Sequence, residues 1–323
     1  MTIAIIGAGI SGVMAYHYFK SKGYKVVVLE KNKYTGALQN HSSIFRTRTR
    51  AVSDILKCDA KEITVEKGYI DSEGNYYTEP TIMMKNEYSI KVSGSISFRS
   101  IYKDRADDER FLLSDISPID KHDLIDEAEI KKIEGDKIFA KHHTIDYSKY
   151  DFCISTIPLP YLLEIVGLHS DIEFKKREII IFRYQIDFDS EVYQTIYYTN
   201  PIAPIYRATL QEREIIIECM KNLYSSDNHY ENITANIFGI NPSNITFVKR
   251  FDMPFGKIIP IDDTNRRKLI MELSDRFNIF SLGRHAIWKN NVAADEVADD
   301  VKKIDRMINI SSTHREYERR LGG

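Results

Sequence analysis

Six residues near the start of the chain, Gly7-Ala8-Gly9-Ile10-Ser11-Gly12, and one carboxylate, Glu30, have the types and spacing to hold a dinucleotide. In such a loop the first glycine permits a tight turn, the second lets a pyrophosphate approach the backbone, and the third lets a helix lie close to a strand. The pyrophosphate charge is stabilised by the amide-rich N-terminus of the following helix, without a basic side chain. Glu30 stands 18 residues after Gly12, where a carboxylate accepts from ribose hydroxyls. An acid there disfavours a 2′-phosphate and leaves NAD and FAD open.

A second group of residues, far downstream, suits the same ligand. Asn278 to Leu282 reads as a buried strand running into Gly283-Arg284, and a helix is expected from about Ala293 to Met307. A guanidinium at that strand end suits a phosphate or ribityl group, and the amides of Val292, Ala293 and Ala294 suit an electron-rich ring carbonyl. Two separated contacts fit an extended cofactor, FAD, better than NAD. A simple salt bridge at a strand end is the competing role for Arg284. The turn after Arg284 would bring His285, Trp288 and Lys289 to the substrate side of the ring. For Trp288 the competing role is an aromatic plug between helix and sheet.

These residues need elements that present them together. Ile3 to Ile6 has the β-branched run of a buried parallel strand, Val13 to Lys22 is a helix stopped by Gly23, and Lys25 to Leu29 is a second strand. Glu129 to Phe139 reads as a hairpin, and Asp151 to Thr156 as another strand of the same sheet, with Thr156 at the cofactor crevice and prolines ending the run. From residue 171 to 260 long β-rich runs take over: Glu178 to Phe188, Val192 to Thr199, Ile205 to Glu218 and Ile245 to Phe251. Short strands are expected between about residues 60 and 111, with Lys103 to Arg110 a solvated loop. The expected fold class is α/β, a Rossmann-type FAD-binding domain (1–58, 112–170 and 262–323) with an inserted, mainly antiparallel β substrate domain (59–111 and 171–261).

Composition supports this size of structure. The 323 residues, 43% hydrophobic and 28% charged, suffice for two domains around buried cores. The 45 basic and 47 acidic residues leave a net charge of −2, which excludes a general attraction to nucleic acid or an acidic membrane surface. No apolar run approaches the roughly 18 residues of a membrane span. Cys58, Cys153 and Cys219 match neither a disulfide framework nor a zinc spacing, so a reducing, cytoplasmic setting is expected. No metal is expected either, because the adjacent His142 and His143 point to opposite faces of a strand. Serine hydrolysis and P-loop phosphotransfer lack their usual signatures.

Tyrosines and arginines gather on the inferred sheet: Tyr184 beside Arg183, then Tyr197, Tyr198, and Tyr206 beside Arg207. Phenols and guanidinium forks together suit a polar, anionic substrate, although cross-strand packing with salt-bridged arginines gives the same pattern. Arg46, Arg48 and Arg50 recur at period two and share a face if the stretch is extended. Such an edge receives a diphosphate, a carboxylate or a nucleic-acid backbone, and it is the chain's one route to nucleic acid; a solvated face paired with acids is the alternative.

The N-terminal fingerprint with Glu30, the segment from Tyr150 to Pro160 and the segment from Ser281 to Val301 together resemble the FAD-dependent superfamily of amine oxidases, protoporphyrinogen oxidase and UDP-galactopyranose mutase. Shorter patches are similar to the mutase branch: Ser43 to Thr47 to its H-x-F-x-T, Tyr197 to Arg207 to its N-Y-T and Y-T-R, Lys249-Arg250-Phe251 to its catalytic S-R-E-Y, and Ile259 to Asp262 to its Y-P-V-N-D. The resemblance implies tightly bound FAD, with further contacts from Lys31, Gly36, Ala37, Leu38 and Ile130, and substrate-side roles for Tyr198, Arg207 and Arg250. The chain departs from that pattern in having Gly36-Ala37 for a paired glycine, and Ser43 and Arg46 where the mutase has histidines.

Three functions follow. The first is an FAD-dependent oxidoreductase or oxidase-type lyase acting on a small polar group, amine-bearing or not, on an anionic carrier such as a nucleotide, sugar nucleotide or nucleic acid. Hydride removal beside nitrogen needs little from the protein beyond alignment and a dry site, which fits the lack of an acid–base dyad. The second is a redox-neutral, mutase-like reaction in which Arg207 and Arg250 hold a diphosphate. The third is a non-catalytic flavin-bound subunit. The oligomeric state is left open.

Overall fold

The computed structural model describes residues 1–36, 44–96, 107–224, 230–290 and 292–321. Five strands form a parallel sheet in the order Ile279–Ser281, Phe152–Ser155, Thr2–Ile6, Lys25–Leu29 and Leu124–Ile125. These strands are continuous apolar runs because both faces of the sheet are covered. Ile3 and Ile5 pack with Val13, Met14 and Phe19 of the helix Ile10–Ser21 and with Val297 and Val301 of the helix Ala294–Leu321. Ala4 and Ile6 pack on the opposite face with Leu159, Leu162, Leu273 and Trp288. The central strand therefore takes a neighbour from the middle of the chain, and that neighbour pairs with a strand from near its end. A small antiparallel meander, Ile130–Glu134, Lys137–Ala140 and Thr144–Asp146, stands beside this sheet.

The second sheet runs Ile205–Met220, Lys176–Tyr198, Asp59–Ile70, Asp107–Ser114 and Arg46–Thr47, with Ile245–Ile258 also pairing to Lys176–Tyr198. Its pairings are antiparallel except for Asp59–Ile70 against Lys176–Tyr198. Side chains alternate between its faces: Ile180, Phe182 and Tyr184 join one cluster with Ile215 and Ile217, while Ile179 and Ile181 join another with Tyr69, Tyr88, Tyr197 and Tyr206. The long hairpin is curled. Register shifts between Gln185 and Gln194, with Glu212 in the left-handed region at φ 48°, bend it so far that the Met220 amide donates to the Pro204 carbonyl at 2.8 Å.

Three local expectations differ from the structure. Residues 82–93, read as part of a short-strand region, form the helix Ile82–Ser93, started by the Thr81 hydroxyl accepting from the Met84 amide and ended by Gly94 at φ 80°. Of the charged stretch expected as a loop, residues 107–110 instead open the strand Asp107–Ser114 against Ile63 to Glu66, and residues 103–106 lie outside the described residues. Arg46–Thr47, assigned to the cofactor domain, pairs with Phe111 and Leu112 in the second sheet. No helix among the described residues is long and apolar enough to cross a membrane.

Candidate functional site

The glycine loop has the geometry its spacing implies. Gly7 turns at φ 96°, its amide donating to the Leu29 carbonyl at 2.8 Å, and a Cβ there would lie 2.5 Å from Thr156 Oγ1. A Cβ on Gly12 would run into the Gly7 carbonyl oxygen, so helix and strand touch backbone to backbone. Gly9 is different: it heads the helix in extended conformation, and a Cβ there would meet nothing within 4 Å. The Thr156 hydroxyl donates to the carbonyls of Ile6 at 2.9 Å and Gly7 at 3.2 Å, bracing the loop from the crevice side.

Glu30 is buried at the end of its strand. One carboxylate oxygen accepts from the Ala8 amide at 2.7 Å and the other from the Asn32 amide at 3.0 Å, which ties the acid to the glycine loop itself. Lys31 is exposed and pairs with Glu129 at 3.1 Å; Lys131 first and Lys31 second hold the Glu129 carboxyl down at about 2. Ile130 is buried in the cluster containing Leu29 and Ala128. Gly36 takes φ 128° with open space around its Cα. Ala37, Leu38 and Ser43 lie outside the described residues.

The C-terminal contact reaches the same place. Gly283 sits at φ 89° directly against Ser11, so that a Cβ would strike the Ser11 hydroxyl. The guanidinium of Arg284 has no hydrogen-bond or ion-pair partner among the described residues. Burial lowers its affinity for its proton, and its charged and titratable neighbours are Tyr206, Arg207 and Glu218 of the second sheet. The expected helix begins at Ala294 and continues to Leu321. One amide of its N-terminus is already engaged, because Ala293 N–H donates to Glu296 Oε2 at 2.7 Å. The Ala293 amide is therefore not free for a ring carbonyl, and of that expected trio only Val292 and Ala294 have no competing carboxylate.

In the second sheet, one acid that sequence reasoning missed organises the expected arginine. Glu218, buried in the apolar run Ile215 to Met220, accepts from the Tyr206 hydroxyl at 2.8 Å and from Nε of Arg207. Burial would raise its pKa, but Arg207, Lys257 and the Tyr206 hydroxyl hold the carboxyl down at about 2. The signal for it was a lone acid in a β-branched run. Arg207 uses only Nε in this bond, and its terminal amino groups make no hydrogen bond among the described residues. Arg46 joins the group: Nε donates to Gln211 at 2.7 Å and NH1 to Thr195 at 3.1 Å, and burial followed by the charge of Arg207 lowers its pKa to about 10. Arg110 also faces Tyr197.

The remaining expectations are corrected by position. Arg250 pairs across the ladder with Phe182, stacks over Tyr224 with 5.5 Å to the ring centre, and bonds Asp252 at 3.0 Å; its neighbour Phe251 packs with the Tyr206 cluster, so Arg250 and Arg207 lie on opposite faces of the sheet. Tyr198 likewise packs against the Phe182 face. The stripe of Arg46, Arg48 and Arg50 does not form, because the strand is two residues long: Arg46 turns into the sheet, Arg48 is exposed, and Arg50 covers the Phe111 ring at 4.9 Å. Trp288 is fully buried, its indole N–H donating to the Ile259 carbonyl at 3.1 Å and its ring edge-on to Phe174 at 5.2 Å, so it is the core plug. His285 Nε2 lies 2.9 Å from the Phe255 carbonyl, and burial, with the Arg284 charge, lowers its pKa to about 4. Lys289 is exposed. None of these three side chains is drawn into the Arg207 group.

Residues 5–47 match the NAD(P)-binding Rossmann-like domain family. A reduced UDP-galactopyranose mutase is similar over 96% of both chains, with a TM-score of 0.67 and 16% identity. The chain has that fold. A fatty acid isomerase from P. acnes, described as CLA-producing, matches at TM-score 0.61 and 12% identity over 94% of this chain and 97% of its own. A putrescine oxidase variant matches at 0.58 and 11% over 96% and 100%. No curated protein sequence matches.

Proposed function

We propose that the chain binds FAD and is an FAD-dependent oxidoreductase acting on a small polar, amine-bearing group attached to an anionic carrier such as a nucleotide or sugar nucleotide. The carrying observation is that the two ends of the chain and the second sheet converge: Gly283 packs on Ser11 of the glycine loop, and Arg284 stands among Tyr206, Arg207 and Glu218. An extended dinucleotide fits these residues. Gly9 leaves room at the helix N-terminus, Glu30 stands at the ribose end, and Arg284 has a guanidinium still to be matched. When bound, FAD supplies a hydride acceptor at flavin N5.

The chain's own residues would do the rest. Gly9 and the first helix turn receive the pyrophosphate, and Arg284 receives a phosphate or ribityl group. Arg207 and Arg46 would orient the anionic carrier beside the buried Tyr206. The arginine stripe that would have served a nucleic-acid backbone is absent, so a small carrier is favoured. The purified protein is expected to be yellow, and its substrate to bleach the oxidised flavin band with release of peroxide. A colourless protein that cannot be reconstituted with FAD, yet binds NAD, refutes this reading. The fold likeness to the mutase favours a second reading, a redox-neutral rearrangement. Its mark is turnover only after prior chemical reduction, with no net consumption of electrons.

A further inference from the structure

We propose that Glu218 is a positioning residue whose work is to hold Arg207 by Nε so that both terminal amino groups face the substrate's anionic group. This rests on the reading of the Arg207 group as the seat of an anionic carrier. The placement of the acid is hard to explain by stability. A carboxylate 5% exposed, on the same face of the sheet as Ile181, Ile216 and Met220, loses hydration that an apolar residue of similar size would not lose, and buried ion pairs are commonly matched or bettered by such residues. What the acid does achieve is geometric. Its two oxygens are divided between the Tyr206 hydroxyl and Arg207 Nε, so the fork of the guanidinium is left for a bidentate partner.

The electrostatic surroundings require such a tether. Arg46 and Arg284 each feel the charge of Arg207, so an untethered Arg207 guanidinium is repelled by two others. Gln211, Thr195 and the Leu210 carbonyl fix Arg46. Arg207 is anchored by Glu218, eleven residues along the same strand and within reach because the strand curls until Met220 meets Pro204. Without the carboxylate, Arg207 is free to swing toward solvent.

The sign of one substitution separates positioning from background charge. Glu218→Gln keeps the shape, replaces the charge-assisted bond to Arg207 Nε by a weaker neutral one and adds one unit of positive charge, so a purely electrostatic role predicts tighter anion binding, whereas a loosened tether predicts weaker binding. The probe is inorganic diphosphate, titrated calorimetrically into the purified protein with its bound cofactor, with a thermal melt for each variant. Glu218→Gln is expected to weaken binding at least about 10-fold, and the Glu218→Gln/Arg207→Ala double variant to bind no worse than Arg207→Ala alone. Arg207→Lys, which keeps the charge but not the fork, is expected to lose at least as much and serves if Glu218→Gln fails to melt cooperatively. Binding by Glu218→Gln as tight as wild type or tighter, losses that multiply in the double variant, or wild-type binding in Arg207→Lys would each overturn the proposal. Failure of the wild-type protein to bind diphosphate would instead overturn the anionic-carrier reading, and this proposal with it.

Discussion

The same substitution at two glycines three residues apart should act on different properties. In Gly9→Ala the new methyl enters open space on an extended backbone that any residue adopts, so the apoprotein should stay within about 0.5 kcal/mol of wild type. In Gly12→Ala the methyl meets the Gly7 carbonyl oxygen, which is backbone of a buried turn and cannot move aside as a side chain would. Overpacking of that kind costs about 3 kcal/mol at the upper end of its usual range. Alanine's better helix propensity returns about 1 kcal/mol. The net cost, about 2 kcal/mol, lowers Tm by roughly 3 °C, because an unfolding entropy of about 2.1 cal/mol/K per residue is spread over 323 residues. Melting of the cofactor-stripped proteins by circular dichroism gives these values, and FAD titration followed by flavin fluorescence gives affinity. Gly9→Ala should melt like wild type yet bind FAD at least about 10-fold more weakly, because the methyl occupies the pyrophosphate's approach. Wild-type FAD affinity in Gly9→Ala, or a lower apoprotein Tm for Gly9→Ala than for Gly12→Ala, would refute the reasoning.

Glu30→Ala should reduce copurifying flavin more than Arg207→Ala does, since Glu30 is bonded to the glycine loop and Arg207 is held in the second sheet; absorbance of the purified proteins decides it. Trp288 should emit at short wavelength and resist iodide quenching until the protein unfolds, and Trp288→Phe should cost about 1–3 kcal/mol through the unpaired Ile259 carbonyl and lost packing, measured by denaturant melts. His285 has its folded pKa lowered from 6.5 to about 4, so the unfolded chain binds the proton first. Its contribution to stability is full above about 6.5 and is lost as the pH falls toward about 4. His285→Gln should flatten the pH dependence of Tm in that window, and an unchanged slope counts against the assignment.

What could be read from the chain beforehand divides by distance. The glycine loop and Glu30 complete their geometry within the first 30 residues, where strand, turn and helix are each set by local pattern. The helix Ile82–Ser93 was also marked locally, by Thr81 and Gly94, but its mixed face gives little helical periodicity. The arginine stripe failed because period-two reasoning assumes a strand longer than Arg46–Thr47. Arg207 was legible as a candidate, whereas its partner was not: Glu218 is chosen by the bend at Gln185 to Gln194, which no spacing rule anticipates. For Trp288 composition offered both a core and a cofactor role, and the deciding contacts, Phe174 and Ile259, come from two different crossings between the sheets.

The strand order of the parallel sheet also has a meaning in time. Ribosomal synthesis delivers Thr2–Ile6 well before its neighbour Phe152–Ser155, and Ile279–Ser281 later still. Until Gly283 has emerged and settled on Ser11, the glycine loop lacks the wall that would close around an extended ligand. A nascent chain therefore has no complete place for an extended ligand until Gly283 has left the ribosome, and non-local pairings of this kind form slowly. Uptake of the ligand would then report that both ends have been joined, so that truncated products, left without it, are the ones exposed to proteolysis.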